Sequence, residues 1–188
     1  MKSLVTGGAR SGKSSFAERL CMSRAKVATY VATAQAFDAE MELRIAEHRR
    51  QREQTSFAWR TIEEPLQLPE LLHRSELGSD QSESPPPALL VDCLTLWLSN
   101  LVLANEAIAE QTARAGIAAL EEAVRSYQGP LILVTNEVGN GIVPEYKLGR
   151  LYRDLSGVMN QRMAAICDEV FLVTAGIPVE LKRLEYKW

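Results

Sequence analysis

Gly7, Gly8, Ala9, Arg10, Ser11, Gly12, Lys13 and Ser14 stand in a row: a glycine, four free positions, then glycine, lysine and a hydroxyl residue. That spacing leaves few folds open, because it works only where a buried strand turns sharply into a helix. Both flanks agree. Leu4, Val5 and Thr6 read as a short strand, and residues 14–23 as the first turns of an amphipathic helix with Phe16, Ala17, Leu20 and Cys21 on its inner side. The glycines let the backbone curl until its N–H groups converge on one anion, and the helix adds its positive end at the same point. Residues 7–14 are therefore candidate phosphate ligands. Lys13 would reach the terminal phosphates, and Ser14 would offer its hydroxyl to a magnesium ion bridging two of them. A glycine turn that binds nothing is the alternative, yet the pattern arises by chance in a chain of this size on the order of one time in a hundred or less.

The 188 residues, 46% of them hydrophobic, suffice for one well-packed domain and are few for two. A single domain is expected. A net charge of -3 argues against nucleic acid or an anionic membrane as a generic partner, since both favour a strongly basic surface. No apolar run approaches the roughly twenty residues of a membrane span. Met1, Lys2 and Ser3 lead straight into the first strand with no signal-peptide core, so a cytoplasmic location is the expectation. Cys21, Cys93 and Cys167 are odd in number, widely spaced and set in apolar segments, which predicts buried free thiols rather than disulfides or a metal site.

Strand and helix signals alternate along the remaining chain. Strands are expected over 27–32, 57–62, 88–92, 130–135 and 170–174, with a last one over 177–181 at a sheet edge. Helices are expected over 38–52, 65–74, 94–104, 108–127 and 148–166. The helix over 38–52 carries Asp38, Glu40 and Glu42 early and Arg49, Arg50 and Arg52 late, which matches the helix dipole. Ile108, Ile117, Leu120, Val124 and Tyr127 line one face of the helix over 108–127. Residues 76–87, rich in serine and proline, hold almost nothing that can pack and read as a flexible surface loop within the domain. The alternation predicts an α/β fold of the P-loop NTPase-like class: a mostly parallel sheet with helices on both faces and an antiparallel edge strand.

Three further stretches could carry chemistry. Asp92 closes an apolar strand downstream of the phosphate loop, where such folds place the acid that orients magnesium; a cap on the helix starting near Leu94 is the other reading. His48, one of only two histidines, shares a helical side with Met41, Ile45 and Arg52, and Arg44 and Arg52 each lie four residues away. Cationic neighbours favour a neutral, nucleophilic imidazole and could hold an incoming phosphate, although position alone also fits a histidine packed at a helix boundary. His73 reads as an ordinary residue near a helix C-terminus. Residues 136–144 follow a strand at the same edge of the sheet, with Asn136 and Glu137 offering polar groups and two glycines permitting either a functional loop or a plain turn.

Together these stretches resemble the bifunctional adenosylcobinamide kinase and adenosylcobinamide-phosphate guanylyltransferase family of cobalamin biosynthesis. The resemblance rests on residues 5–14, on Tyr30, Val31, Ala32, Thr33 and Ala34, and on Asp38, Glu40, Met41, Arg44, Ile45 and His48. It continues through Trp59, Arg60, Thr61 and Glu63, residues 90–95, 134–139 and 141–144, and Arg153, Asp154, Asn160, Gln161 and Arg162, and so covers nearly the whole chain.

The resemblance implies a two-step enzyme. ATP or GTP phosphorylates the aminopropanol hydroxyl of adenosylcobinamide, and GTP then gives its GMP, through a guanylylated histidine, to the resulting phosphate. His48 matches that histidine, and Lys13 the lysine of the phosphate loop. Val31, Ala32, Thr33, Arg49, Arg50, Gln51, Arg52, Glu63 and Asp92 match positions around the guanine nucleotide, with Ser14 and Asp92 placed for Mg2+. A homotrimer with sites between subunits is also implied. Glu47 stands where some relatives have a second histidine, and Asp92 where some have glutamate.

Overall fold

A computed structural model of the chain describes residues 1–36, 39–74 and 88–187; the side chains of Glu40, Arg44, His48 and Gln51 also fall outside the description. Seven strands result from the apolar runs: β1 (Lys2–Thr6), β2 (Val27–Ala32), β3 (Ala58–Glu63), β4 (Ala88–Asp92), β5 (Leu131–Val134), β6 (Glu169–Thr174) and β7 (Ile177–Glu180). Between them run α1 (Lys13–Arg24), α2 (Ala39–Glu53), α3 (Leu68–His73), α4 (Leu94–Ala104), α5 (Ala109–Ser126) and α6 (Lys147–Ile166). The strands form one sheet in the order β3-β2-β4-β5-β1-β6-β7. Every neighbouring pair is parallel except the β6–β7 hairpin, the antiparallel edge expected from the sequence.

Strand alternation divides the core between the two faces. Leu89 and Val91 of β4 and Leu131 and Leu133 of β5 pack with Trp97 and Leu98 of α4, Ile117 and Leu120 of α5, and Met159 and Met163 of α6. The intervening Ala88, Leu90, Ile132 and Val134 pack on the other face with Ala17 and Cys21 of α1. Burial on both faces is why these strands read as unbroken apolar runs rather than as alternating ones. The three cysteines are free and buried, and loss of solvation pushes the thiols of Cys21 and Cys167 up to about 12.

Two helix starts differ from the sequence expectation. The Glu64 carboxylate accepts hydrogen bonds from the backbone N–H groups of Leu66 (3.2 Å) and Gln67 (2.7 Å), holding them in a turn, so α3 begins only at Leu68. Ile108 is 49% exposed instead of lining α5. It lies in a 3-10 turn over Glu106–Ile108, opened by the Asn105 side chain accepting from the Ala107 N–H. The expected loop over 76–87 and the helix-opening Asp38 lie outside the described residues.

Candidate nucleotide site

Parallel pairing brings the carboxyl ends of distant strands to one edge. The register aligns Glu63 with Ala32, Ala32 with Asp92, Asp92 with Val134, and Val134 with Val5. Whatever follows these strands therefore converges, and in open α/β sheets this edge is where ligands sit. The phosphate loop follows β1, Thr33 and Ala34 follow β2, Cys93 to Thr95 lead from β4 into α4, and Asn136 lies just beyond β5.

Residues 7–12 adopt a conformation that demands glycine at Gly7 and Gly12. Gly12 lies at φ 91, in the left-handed region, as does Arg10 at φ 55. A Cβ on Gly7 would stand 2.4 Å from the Val173 carbonyl oxygen, closer than any side chain can come. Lys13 opens α1, is 7% exposed, and donates from Nζ to the Gly8 carbonyl at 3.2 Å. Chain remote in sequence braces the loop on two sides. On one, the Gly176 N–H in the β6–β7 turn donates to the Ser11 carbonyl at 2.8 Å. On the other, the Glu137 N–H donates to the Gly7 carbonyl (3.2 Å), and the Glu137 carboxylate accepts from Thr6 Oγ1 (2.6 Å). The Ser11 hydroxyl is buried with no hydrogen-bond partner among the described residues, a polar atom that an anion in the loop would satisfy.

Beside the loop opens a cleft of about 140 Å³ whose lining includes Lys13, Ser14, Tyr30, Arg52, Asp92 and Asn136. Tyr30 donates its phenol to Asp92 Oδ2 at 3.0 Å. Burial, reinforced by the Asp92 charge, holds that phenol well above the usual tyrosine range and keeps it a donor. The residue at the start of α4 is Cys93, with no side-chain cap, so Asp92 turns to the cleft and to Tyr30 instead of capping the helix. Buried Thr33 donates its hydroxyl to the Cys93 carbonyl (2.7 Å) and accepts from the Cys93 N–H (2.9 Å), stitching the ends of β2 and β4 together. Asn136 donates to Thr95 Oγ1 at 2.7 Å, and its own carbonyl accepts from Asn160 at 3.0 Å.

The expected nucleotide residues fall into three groups. Residues 7–14, Ala32 and Asp92 gather at the cleft or its loop. Val31 is fully buried with the α3–α6 side of the core, so only its backbone reaches this edge. The third group lies on and beside α2. Arg49 and Arg50 are exposed, with Arg49 3.6 Å from the likewise exposed Glu63. Arg52, placed by the sequence four residues from His48, is 5% exposed and seats its guanidinium 3.6 Å over the Tyr30 ring and 3.8 Å from the Glu18 carboxylate. His48 and Gln51 belong to α2, and their side chains are outside the description. Sequence reasoning assigned no site role to Glu18 or Gly176, nor to Tyr30 and Thr95, which entered only through the family resemblance. Tyr30 could have been found from its place two residues before the end of β2, facing the same side as Ala32; Gly176 offers no sequence signal.

A glycine-rich loop between a central parallel strand and its helix, an acid ending a nearby strand, and a cleft between them define a P-loop nucleotide-binding α/β protein. Within that class the chain belongs to the CobU family, described as cobinamide kinase / cobinamide phosphate guanyltransferase, whose sequence model matches residues 3–181. It is 46% identical to the bifunctional adenosylcobalamin biosynthesis protein CobP of Pseudomonas aeruginosa, over 97% of this chain and 98% of that one. The CobU proteins of Escherichia coli and Salmonella typhimurium, also named bifunctional adenosylcobalamin biosynthesis proteins, are 40% and 41% identical over 97% of this chain and all of theirs.

Proposed function

We propose that this chain performs both transfers of its family at the cleft described above, with His48 as the covalent carrier of GMP. The observation that carries the reading is the meeting, in one cleft, of Lys13 and Ser14 from the phosphate loop, Asp92 from β4 and Arg52 from the helix that bears His48. In the first reaction the aminopropanol hydroxyl of adenosylcobinamide bonds to the γ-phosphorus of ATP or GTP. The bond to the nucleoside diphosphate breaks, and the hydroxyl proton is released. In the second, a neutral imidazole nitrogen of His48 bonds to the α-phosphorus of GTP and pyrophosphate leaves. An oxygen of adenosylcobinamide phosphate then attacks that phosphorus, the P–N bond breaks, and adenosylcobinamide-GDP departs with histidine restored.

Backbone N–H groups of residues 7–12 cradle the phosphates in both steps, and Lys13 neutralises charge that develops on them. Arg49, Arg50, Gln51 and Glu63 receive the guanine nucleotide around the end of α2, with Thr33 and the Val31 backbone at the end of β2. Mg2+ fits this donor set, since such sites use one serine or threonine hydroxyl and one carboxylate with the substrate's own phosphates. Ser14 and Asp92 would hold it, and it would neutralise phosphate charge. One sheet drawn from residues 2–180 supports a single nucleotide-binding domain. Exposed apolar side chains on the edge strand, Ile177 (65%) and Val179 (40%), support a homotrimer, which sedimentation would register. No described helix is long and apolar enough to cross a membrane, in keeping with a cytoplasmic enzyme.

The test is label transfer. GTP carrying label in its α-phosphate is expected to mark the protein in an acid-labile, base-stable bond, and His48→Ala is expected to take none. Label retained by His48→Ala removes the assignment. GTP or ATP labelled in the γ-phosphate, supplied with adenosylcobinamide, tests the kinase step separately.

A further inference from the structure

We infer that Arg52 is the pin that fastens α2 to the body of the protein, which makes it a positioning residue for guanylyl transfer rather than a phosphate ligand. Surface helices usually adhere through an apolar stripe, because isolated helices of this length are marginal in water. The described side chains of α2 form no fully buried apolar stripe; Met41 and Ile45 only line the cleft beside Arg52. Among its described side chains Arg52 alone is buried; Met41 and Ile45 are half-buried, and Leu43 points to solvent. Among the described side chains of this fifteen-residue helix, the deepest anchor thus lies at the last turn and is a cation.

What Arg52 grips explains how this suffices. Its guanidinium lies 3.6 Å over the ring of Tyr30 on β2 and 3.8 Å from Glu18 on α1, while Tyr30 is fixed by its bond to Asp92 on β4. One side chain therefore ties α2 directly to β2 and α1, and through Tyr30 to β4. A desolvated cation over an aromatic face outweighs an exposed ion pair such as Arg49 with Glu63, which solvent screens. The backbone is fastened at the same residue. The Arg52 carbonyl accepts from both the N–H (3.0 Å) and the hydroxyl (2.7 Å) of Thr55, closing the helix there. His48 lies one turn before this fastening.

Arg52 Nε and NH1 are buried without hydrogen-bond partners among the described residues, and this raises the rival reading, that they await a substrate phosphate. Tyr30 separates the two. If Arg52 acts through Tyr30, removing the ring has the same effect as removing the guanidinium; if Arg52 binds phosphate, it does not. The attachment of α2 is independent of the proposed chemistry, whereas the effect on His48 rests on it.

The experiment compares hydrogen exchange with the rate of GMP uptake in wild type, Arg52→Met, Arg52→Lys, Tyr30→Leu and the Arg52→Met/Tyr30→Leu pair. Amides of α2 are expected to exchange about tenfold faster in Arg52→Met and Tyr30→Leu, while those of α1 stay within about twofold. The double variant is expected to be no worse than the more affected single one, because both remove one contact. Arg52→Lys, which keeps the charge near Glu18 but loses the planar stack, is expected to fall between. GMP uptake is expected to fall about tenfold with the exchange, by displacement of the nucleophile. Tyr30→Phe keeps the ring, and is expected to protect α2 nearly as wild type does; it supplies the comparison if Tyr30→Leu fails to fold. Unchanged α2 exchange in Arg52→Met overturns the inference. So does loss of GMP uptake in Arg52→Met alongside wild-type uptake in Tyr30→Leu. Absence of uptake in wild type, with the exchange pattern as expected, removes the proposed chemistry and leaves the pin standing.

Discussion

α1 and α2 border the same cleft, but α1 grows out of a turn clamped between the β6–β7 hairpin and Glu137, while α2 buries only Arg52 among its described side chains. The loop before α1 owes its shape to backbone: a left-handed Gly12, a Gly7 with no room for a Cβ, and carbonyls that each receive a remote N–H. Side chains add to this frame, Lys13 on the Gly8 carbonyl and Glu137 on Thr6, but the backbone sets it. α2 is held by an arginine stacked on a tyrosine, an arrangement that fixes one end and leaves most of the helix surface in water. The difference fits two kinds of work. Binding phosphate rewards a preorganised cradle that need not change between steps. A helix that brings a nucleophile to GTP and then presents GMP to a bulky acceptor is served by a local, adjustable attachment.

The largest expected effect falls on the rigid side. Lys13→Ala should lower both γ-phosphoryl transfer and GMP uptake about a hundredfold to a thousandfold, since one loop serves both. Loss of only one of the two, measured with the two labels on the same preparation, would break the shared-cradle half of the comparison. Gly7→Ala comes next. Its Cβ must displace the Val173 carbonyl on β6, so a loss of about 1–3 kcal/mol in urea unfolding is expected, together with weaker GTP binding in calorimetry. A neutral outcome would mean that the loop is looser than its bracing indicates.

The smallest effect concerns the thiols, which report on both faces of the core, Cys21 beneath α1 and Cys167 beside α6. Cys21 and Cys167 have pKa values raised by burial to about 12, so at pH 8 about one thiol in ten thousand is ionised, and a disulfide reagent should find no fast-reacting group in the folded protein. The sign for stability follows. A folded-state pKa above the ordinary 9.0 adds stability that is full below pH 9 and is lost as pH rises toward 12, so the urea midpoint should drop on going to about pH 10. Arg52→Met, which loosens α2 alone, should leave thiol reactivity as it is in wild type. Faster reaction of Cys21 in that variant would show that the two helices are coupled.

Sequence made the rigid half legible and left the other half obscure, for a physical reason. A phosphate cradle is built from contiguous residues with narrow backbone requirements, so Gly7, Gly12, Lys13 and Ser14 announce it, and strands buried on both faces announce the sheet that carries it. The braces are another matter. Gly176 and Glu137 reach the loop only because β6 and β5 flank β1, a neighbour relation that no local pattern encodes. Arg52 shows the limit most clearly. Helical spacing linked it to His48, but its guanidinium found an aromatic face on β2 and a carboxylate on α1, partners set by the tertiary packing of three segments. Ile108 failed for a local reason: Asn105 diverted the chain into a 3-10 turn just ahead of the periodic stretch.

The central claim is that the cradle and the histidine on α2 form one two-step site, and a chase tests it most directly. Protein loaded with labelled GMP is freed of nucleotide and given adenosylcobinamide phosphate, and the label is followed on protein and product in time. Label is expected to leave His48 as fast as adenosylcobinamide-GDP appears, and no more slowly than steady-state turnover. Product formed at full rate while the label stays on the protein would contradict it.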